Sequence, residues 1–268
     1  VLSVCATPIG NLDDVTLRVL AELKAADVVL AEDTRHTRTL LERHGIRAKL
    51  VSYHEHNEAA RVAELLPRLA AGERMALVSD AGMPGISDPG IRLISAARDA
   101  EIEVTVLPGP SAVETALVAS GLDATRYAFL GFLPRRRAEL NALWRELARW
   151  TWPAVAFESP RRLPASLRSL AEADPARPVA VCRELTKRFE DVVRAGAVEA
   201  AARFAEPPRG EITLVIGGTV SSSGPDGRDA ARAAVAELVA AGTPRRVAAE
   251  VVARLTDVAK NDLYRATL

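Results

Sequence analysis

The stretch Met75-Ala76-Leu77-Val78-Ser79-Asp80-Ala81-Gly82-Met83-Pro84-Gly85-Ile86-Ser87-Asp88-Pro89-Gly90 decides the fold class. Its first five residues form an apolar run too short for a helix and suited to a buried strand, Met75–Ser79. The next segment packs three glycines and two prolines into twelve residues, Ser79–Gly90, and so predicts a long, rigid loop. The amphipathic run Ile91–Ala100 then predicts a helix, and Val104–Leu107 a further strand. A strand, a loop, a helix and a second strand make the repeating unit of a parallel sheet.

The same rhythm extends to either side. Leu2–Ala6, Val28–Ala31 and Leu50–Ser52 read as strands. Thr16–Lys24, Thr37–His44 and Glu58–Ala71 read as helices, the last stopped by Gly72. Pro108-Gly109-Pro110 breaks the chain, and Ser111 caps a helix running through Ala119. We therefore expect a mainly parallel N-terminal α/β domain over residues 1–109. Over 110–220 strands are denser. Tyr127–Phe132, Ala154–Glu158, Val179–Arg183, Val192–Ala195 and Ile212–Ile216 alternate with helices Glu139–Trp150, Leu163–Ala173 and Val198–Ala205, which predicts a mixed α/β domain. Ser221–Gly227 has the composition of a flexible linker. Helices over Ala230–Ala241, Pro244–Leu255 and Lys260–Ala266 then form a small helical tail, 228–268.

Composition narrows the class. The chain has 268 residues, 49% of them hydrophobic, with 35 basic side chains against 35 acidic. That balance excludes a mainly disordered chain, and no apolar run is long enough for a membrane span. Val1–Ala6 is apolar but short and without a basic leader, so no secretory signal is expected. Cys5 and Cys182 form no metal-type spacing, which suits a reducing cytosol. Zero net charge argues against a protein that coats nucleic acid indiscriminately. The charge is uneven, however. Arg126–Arg168 holds nine Arg against three Glu, a net of +6, on segments beside Phe132, Trp144, Trp150, Trp152 and Phe157. Such a stretch suits phosphate contact and base stacking, or a charged helix face.

In a parallel sheet, ligands gather beyond the carboxyl ends of the strands. Three loops leave strands on that edge: Thr7–Asp14, Ser79–Gly90 and Pro108–Ala112. The first has one glycine and no Gly-x-Gly-x-x-Gly, so it is not a dinucleotide fingerprint. In the second, Asp80 and Asp88 can meet hydroxyls or a positive centre. The third carries small residues ahead of a helix with free N–H groups. Between them lie Glu32–His36 and Tyr53–Asn57, with three of the four histidines. This polar cluster serves substrate binding or acid–base chemistry, or is a solvated surface. Its His-x-His and carboxylates are too unspecific a set to predict a metal.

The motifs Thr7-Pro8-Ile9-Gly10-Asn11-Leu12, Glu32-Asp33-Thr34-Arg35-His36, His54-Glu55-His56-Asn57-Glu58, Ser79–Pro84, Ser87–Gly90, Pro108–Ala112, Gly131-Phe132-Leu133-Pro134, Glu158-Ser159-Pro160-Arg161-Arg162, Arg183-Glu184-Leu185-Thr186-Lys187 and Gly210-Glu211-Ile212-Thr213 occur in this order. With the ending Lys260-Asn261-Asp262-Leu263-Tyr264, the whole chain resembles the RsmI family, the 16S ribosomal RNA cytidine 2′-O-methyltransferases of the tetrapyrrole methylase superfamily. One departure is Met83-Pro84-Gly85, where the family commonly has Thr-Pro-Leu.

The resemblance implies two α/β domains of tetrapyrrole-methylase type with S-adenosylmethionine in the cleft between them, plus a small C-terminal helical extension. It implies a cytoplasmic homodimer, with no metal and no membrane. The reaction would be methylation of a cytidine ribose in the decoding region of the small ribosomal subunit. Cofactor contacts would fall to Pro8, Gly10, Asp80, Ala81, Gly82, Pro84, Ser111, Ala112, Phe132, Leu133, Glu211 and Thr213. Asp33 or His54 would be the base. Arg35, His56, Arg135, Arg136, Arg161 and Arg183 would hold the 16S rRNA. Two other readings compete: a tetrapyrrole methyltransferase, which needs no arginine-rich stretch, and a noncatalytic assembly factor, which needs no three-loop pocket.

Overall fold

A computed structural model of the chain describes residues 1–219, 225–256 and 258–265. In the first half, β1 (Leu2–Cys5), β2 (Val28–Ala31), β3 (Leu50–Ser52), β4 (Met75–Val78) and β5 (Val104–Leu107) alternate with α1 (Leu17–Ala25), α2 (Thr34–Arg43), α3 (Glu58–Ala70) and α4 (Ile91–Asp99). The five strands make one parallel sheet in the order β3-β2-β4-β1-β5. β2 and β4 are uninterrupted apolar runs, and β1 is broken only by Ser3, because helices cover both faces. Alternate side chains feed opposite cores. Val28 and Leu30 join Leu2, Met75 and Leu77 on one face, while Val29 and Ala31 join Ala76 and Val78 on the other. Each such buried leucine or valine contributes about 1.5–3 kcal/mol.

Helix starts follow their caps. Thr16 Oγ1 accepts the Val19 N–H and opens α1. Asp33 caps α2 by accepting the Arg35 N–H at 2.8 Å, so this helix begins at Thr34, three residues before the sequence expectation.

The second half opens with α5 (Ala112–Ser120), followed by β6 (Ala128–Phe132), α6 (Arg137–Leu147), β7 (Ala154–Glu158), α7 (Leu163–Ala173), β8 (Pro178–Arg183), β9 (Asp191–Gly196), α8 (Ala197–Arg203) and β10 (Ile212–Ile216). The strands form a mixed sheet, β6-β7-β10-β8-β9, in which only β6 and β7 run parallel. α6, α7 and α8 cover one face through Leu140, Trp144, Leu167, Leu170 and Ala200. α5 covers the other with Val113, Ala116 and Leu117, and Ile9 from the first-strand loop joins that same cluster. Ile9 thus ties the first-strand loop into the apolar cluster under α5.

The tail holds α9 (Pro225–Ala240), α10 (Arg245–Leu255) and α11 (Lys260–Arg265), closed around Ala231, Val235, Ala248, Val252 and Leu263. Pro225–Gly227 begin α9, whereas the rest of the expected linker, Ser221–Gly224, lies outside the described residues, as does Ala266. Among the described residues no helix is long and apolar enough to cross a membrane.

Candidate active site

The three loops that leave β1, β4 and β5 lie side by side because these strands are neighbours in the sheet. They are also stitched together. Thr7 N–H donates to Gly82 O at 2.8 Å, Gly82 N–H returns to Thr7 O at 3.0 Å, and Thr7 Oγ1 donates to Ser79 O at 3.0 Å. From the neighbouring strand β2, the Asp33 N–H donates to Asp80 Oδ1 at 3.0 Å. Ser87, at φ 64°, holds a left-handed conformation that costs a non-glycine residue of order 1 kcal/mol, and it lines the site.

These loops form one wall of a cavity of about 430 Å³ between the two sheets. The other wall comes from β6, β7 and β10 and the loop after β7. Its size falls in the usual range for small-molecule sites. A bulge shapes the far side. The β6–β7 register shifts between Phe129 and Phe132, where Gly131 adopts φ 66° and a Cβ would sit 3.6 Å from Ser87 Oγ. The bulge leaves Phe132 61% exposed on the cavity wall, edge-on to Phe157 with ring centroids 5.6 Å apart.

Five carboxylates line this cavity, Glu32, Asp80, Asp88, Glu158 and Glu211, and no basic side chain does among the described residues. Two of the five are paired with a basic side chain, although Lys187 is shared with Glu184 at 2.9 Å. Glu158, 2% exposed, takes Arg162 at 3.2 Å and the Ser166 hydroxyl at 2.6 Å, while Glu211 pairs with Lys187 at 2.9 Å. The other three bear on one another. Burial pushes Asp88 up to about 7, with Glu32 and Asp80 adding to the effect. Burial, then the charge of Asp80, also raises Glu32. Uncompensated negative charge in a partly buried cavity favours a cationic guest.

Of the residues expected to hold a cofactor, Asp80, Ala81, Gly82, Ser111, Ala112, Phe132, Glu211 and Thr213 line the cavity. Pro8, Gly10, Pro84 and Leu133 are not among its lining residues. Gly10 instead meets the second domain, where a Cβ would lie 2.5 Å from Lys187 Cγ and 2.7 Å from Leu185 O. Leu133 follows Phe132 and so faces the opposite side, into the core under α6 and α7.

Of the polar cluster, Glu32 lines the cavity, whereas Asp33, Arg35, His54 and His56 do not. Asp33 is bound to Arg35 through both carboxylate oxygens, at 3.1 and 2.7 Å, in addition to capping α2. The Arg35 hydrogen bonds hold its carboxyl well below the usual carboxylate range, which makes it a weak base. Arg35 in turn spends its guanidinium on Asp33. His54 is not a lining residue. Its Nε2 faces Asn57 Nδ2 at 3.2 Å, and its Nδ1 is buried without a partner among the described residues. His56 is exposed, edge-on to His54 at 6.0 Å. Arg135 and Arg161 are exposed, Arg136 pairs with Glu139 at 3.3 Å, and Arg183 pairs with Asp191 at 3.5 Å. Among the described residues no group of three His, Cys, Asp or Glu side chains is arranged to hold a metal. Glu158 and Ser159 line the cavity although neither was expected to contact a ligand, and Glu32 and Phe157, expected only in the polar cluster and beside the arginine-rich stretch, line it too. Glu32 and Glu158 each end or follow a strand on the cavity edge, a position that marks them in the sequence.

A family model for the tetrapyrrole (corrin/porphyrin) methylases matches residues 1–202, the whole first sheet and the second sheet up to β9. The fold agrees. The methyltransferase CobJ superposes with a TM-score of 0.62 at 22% identity, over 81% of this chain and 94% of that one. The uroporphyrin-III C-methyltransferase of Thermus thermophilus, complexed with S-adenosyl homocysteine, gives 0.56 at 21% identity over 81% and 96%. Within that class the chain belongs to the ribosomal RNA small subunit methyltransferase I family. It is 46% identical to the Mycobacterium tuberculosis H37Rv member over 98% of this chain and 93% of the relative. It is 41% identical to the Synechocystis member over 100% and 97%.

Proposed function

We propose that this protein transfers the methyl group of S-adenosylmethionine to the 2′-oxygen of a cytidine ribose of 16S rRNA, in the decoding region of the small ribosomal subunit. The observation that carries the reading is the acidic cavity between the domains, with an exposed aromatic ring on its wall and an arginine-rich surface beyond it. The names of the relatives, at 41–46% identity over nearly the whole chain, support the ribosomal substrate. The cytosolic homodimer implied by the sequence resemblance is part of the same reading.

The cofactor fits the residues present. S-adenosylmethionine supplies a methyl group on a sulfonium, whose positive charge makes the methyl electrophilic. Glu32, Asp80 and Asp88 complement the sulfonium and the ammonium of such a molecule. Ala81, Gly82, Ser111 and Ala112 leave backbone groups and space for its uncharged parts. Phe132 and Phe157 offer ring faces to a nucleoside. The work of the protein is orientation, holding the oxygen in line with the breaking carbon–sulfur bond. As the carbon–oxygen bond forms, the hydroxyl proton must leave. Asp88 is the best acceptor, because its carboxyl titrates near neutrality and lines the cavity, whereas Asp33 is committed to Arg35.

A transfer assay with methyl-labelled S-adenosylmethionine tests this reading. Label should enter the RNA of small subunits incubated with the protein. Label entering a tetrapyrrole instead, or no cofactor binding by calorimetry, would replace it with one of the two competing readings.

A further inference from the structure

Beside the acidic cavity, the second domain carries another concavity of about 280 Å³ between the start of α6 and the length of α7. Four arginines line it, Arg135, Arg137, Arg162 and Arg168, against one acid, Glu172. Arg137 pairs with Glu172 at 3.0 Å, and both are exposed. Arg162 is built into the wall. Arg135 and Arg168 are exposed, and no hydrogen bond or ion pair commits their guanidinium groups to other described residues. Guanidinium forks match phosphate oxygens in shape as well as charge.

The two concavities share a thin wall. Glu158 lines the acidic one, Arg162 lines the basic one, and the two meet at 3.2 Å. Arg162 Nη2 also donates to Leu133 O at 2.7 Å and Pro134 O at 2.8 Å, directly after Phe132. The lining therefore changes from acidic to basic across the Glu158–Arg162 pair, close to the exposed ring. A polyanion is repelled by the first concavity and attracted by the second. A cationic cofactor has the reverse preference.

We propose that the basic groove seats a phosphodiester of the RNA strand next to the nucleotide presented to the cavity. The inference rests on the RNA reading above and deepens it. The sign change admits a nucleoside to the reacting end while its backbone stays outside, on Arg135 and Arg168.

The test is the double variant Arg135→Gln/Arg168→Gln in the full chain. Its binding to small subunits and to naked 16S rRNA is measured across a salt titration. The control is Arg18→Gln/Arg98→Gln, which removes the same charge from α1 and α4. The groove variant should bind both RNAs about tenfold or more weakly, and the slope of log affinity against log salt should fall by about 0.7 for each phosphate no longer neutralised. Its affinity for S-adenosylmethionine should stay within about twofold of wild type. Wild-type affinity and slope would overturn the proposal, as would an equal loss in the control. Loss for subunits alone, with naked rRNA bound normally, would assign the groove to a ribosomal protein and also overturn it. If the unaltered protein binds RNA through the groove but transfers no label, the methylation reading fails and the groove stands.

Discussion

Asp80 accepts the backbone N–H of Asp33 at 3.0 Å, tying the loop after β4 to the loop after β2 across neighbouring strands. One carboxylate thus does two jobs, since it fixes a loop and charges the cavity. The jobs separate by substitution. Asp80→Asn keeps an oxygen for the Asp33 N–H and removes the charge, while Asp80→Ala removes both and strands a partly buried donor at a cost of about 1–3 kcal/mol. The Asn variant should melt near wild type and bind S-adenosylmethionine at least about tenfold more weakly. The Ala variant should lose both stability and affinity. Thermal unfolding with calorimetry reads the pair, and wild-type affinity in the Asn variant would remove the charge argument.

Asp88 gives the site a pH dependence whose sign is fixed. Its carboxyl is raised from 3.8 to about 7, mainly by burial. Between those values the folded protein holds a proton that the unfolded chain has released, so this group's contribution to stability falls as pH rises through the window. A cationic ligand favours the ionised form. Cofactor affinity should therefore climb between about pH 6 and pH 8, with a proton released on binding. Asp88→Asn should flatten that climb and lower methyl transfer by about 10²-fold or more. Calorimetry in buffers of different ionisation enthalpy counts the proton, and an unchanged pH profile in the variant would contradict the assignment.

Gly10 tests how the domains meet. Its Cα lies so close to the Leu185–Lys187 segment that no side chain fits, and beside it the Asn11 N–H donates to Thr186 Oγ1 at 3.0 Å. Gly10→Ala should cost about 1–3 kcal/mol through overpacking. The melting temperature should fall by roughly 2–4 °C per kcal/mol. Cofactor affinity should fall as well, because the cavity is built from both domains. A variant that melts and binds like wild type would show that the interface gives way freely.

Glu158 anchors the wall between the two concavities. It accepts from Ser166 Oγ, from the Ser159 N–H and from Arg162 while almost fully buried. Glu158→Ala leaves those donors and the Arg162 charge unmatched and should destabilise by about 3–5 kcal/mol. Glu158→Gln keeps the size and one acceptor and should cost clearly less. Chemical denaturation gives the order of the two, and equal losses would mean that the charge pair is what matters.

The fold was largely legible because a doubly covered sheet turns its strands into uninterrupted apolar runs, as in Val28–Ala31 and Met75–Val78. The loops after β1, β4 and β5 could be placed together from topology alone, and eight expected cofactor residues do line the cavity. Side-chain commitments were not legible. Asp33 stands ahead of Thr34 as a helix cap and ahead of Arg35 as an ion-pair partner, and nothing in the spacing ranks those roles against that of a base. Gly10 reads as a turn residue, and its role against Lys187 depends on segments nearly 180 residues apart in the chain. Leu133 lies on the core face and Phe132 on the cavity face, and a bulge and strand alternation decide between the two.

The most direct test of the central claim is to map the methylated nucleoside. Small subunits lacking the modification are treated with the protein and S-adenosylmethionine, and their 16S rRNA is digested and analysed by mass spectrometry. The account predicts one added methyl, on the ribose 2′-oxygen of a cytidine in the decoding region, formed about 10²-fold or more slowly with Asp88→Asn. A methyl on a base, or on a nucleotide outside that region, would contradict it.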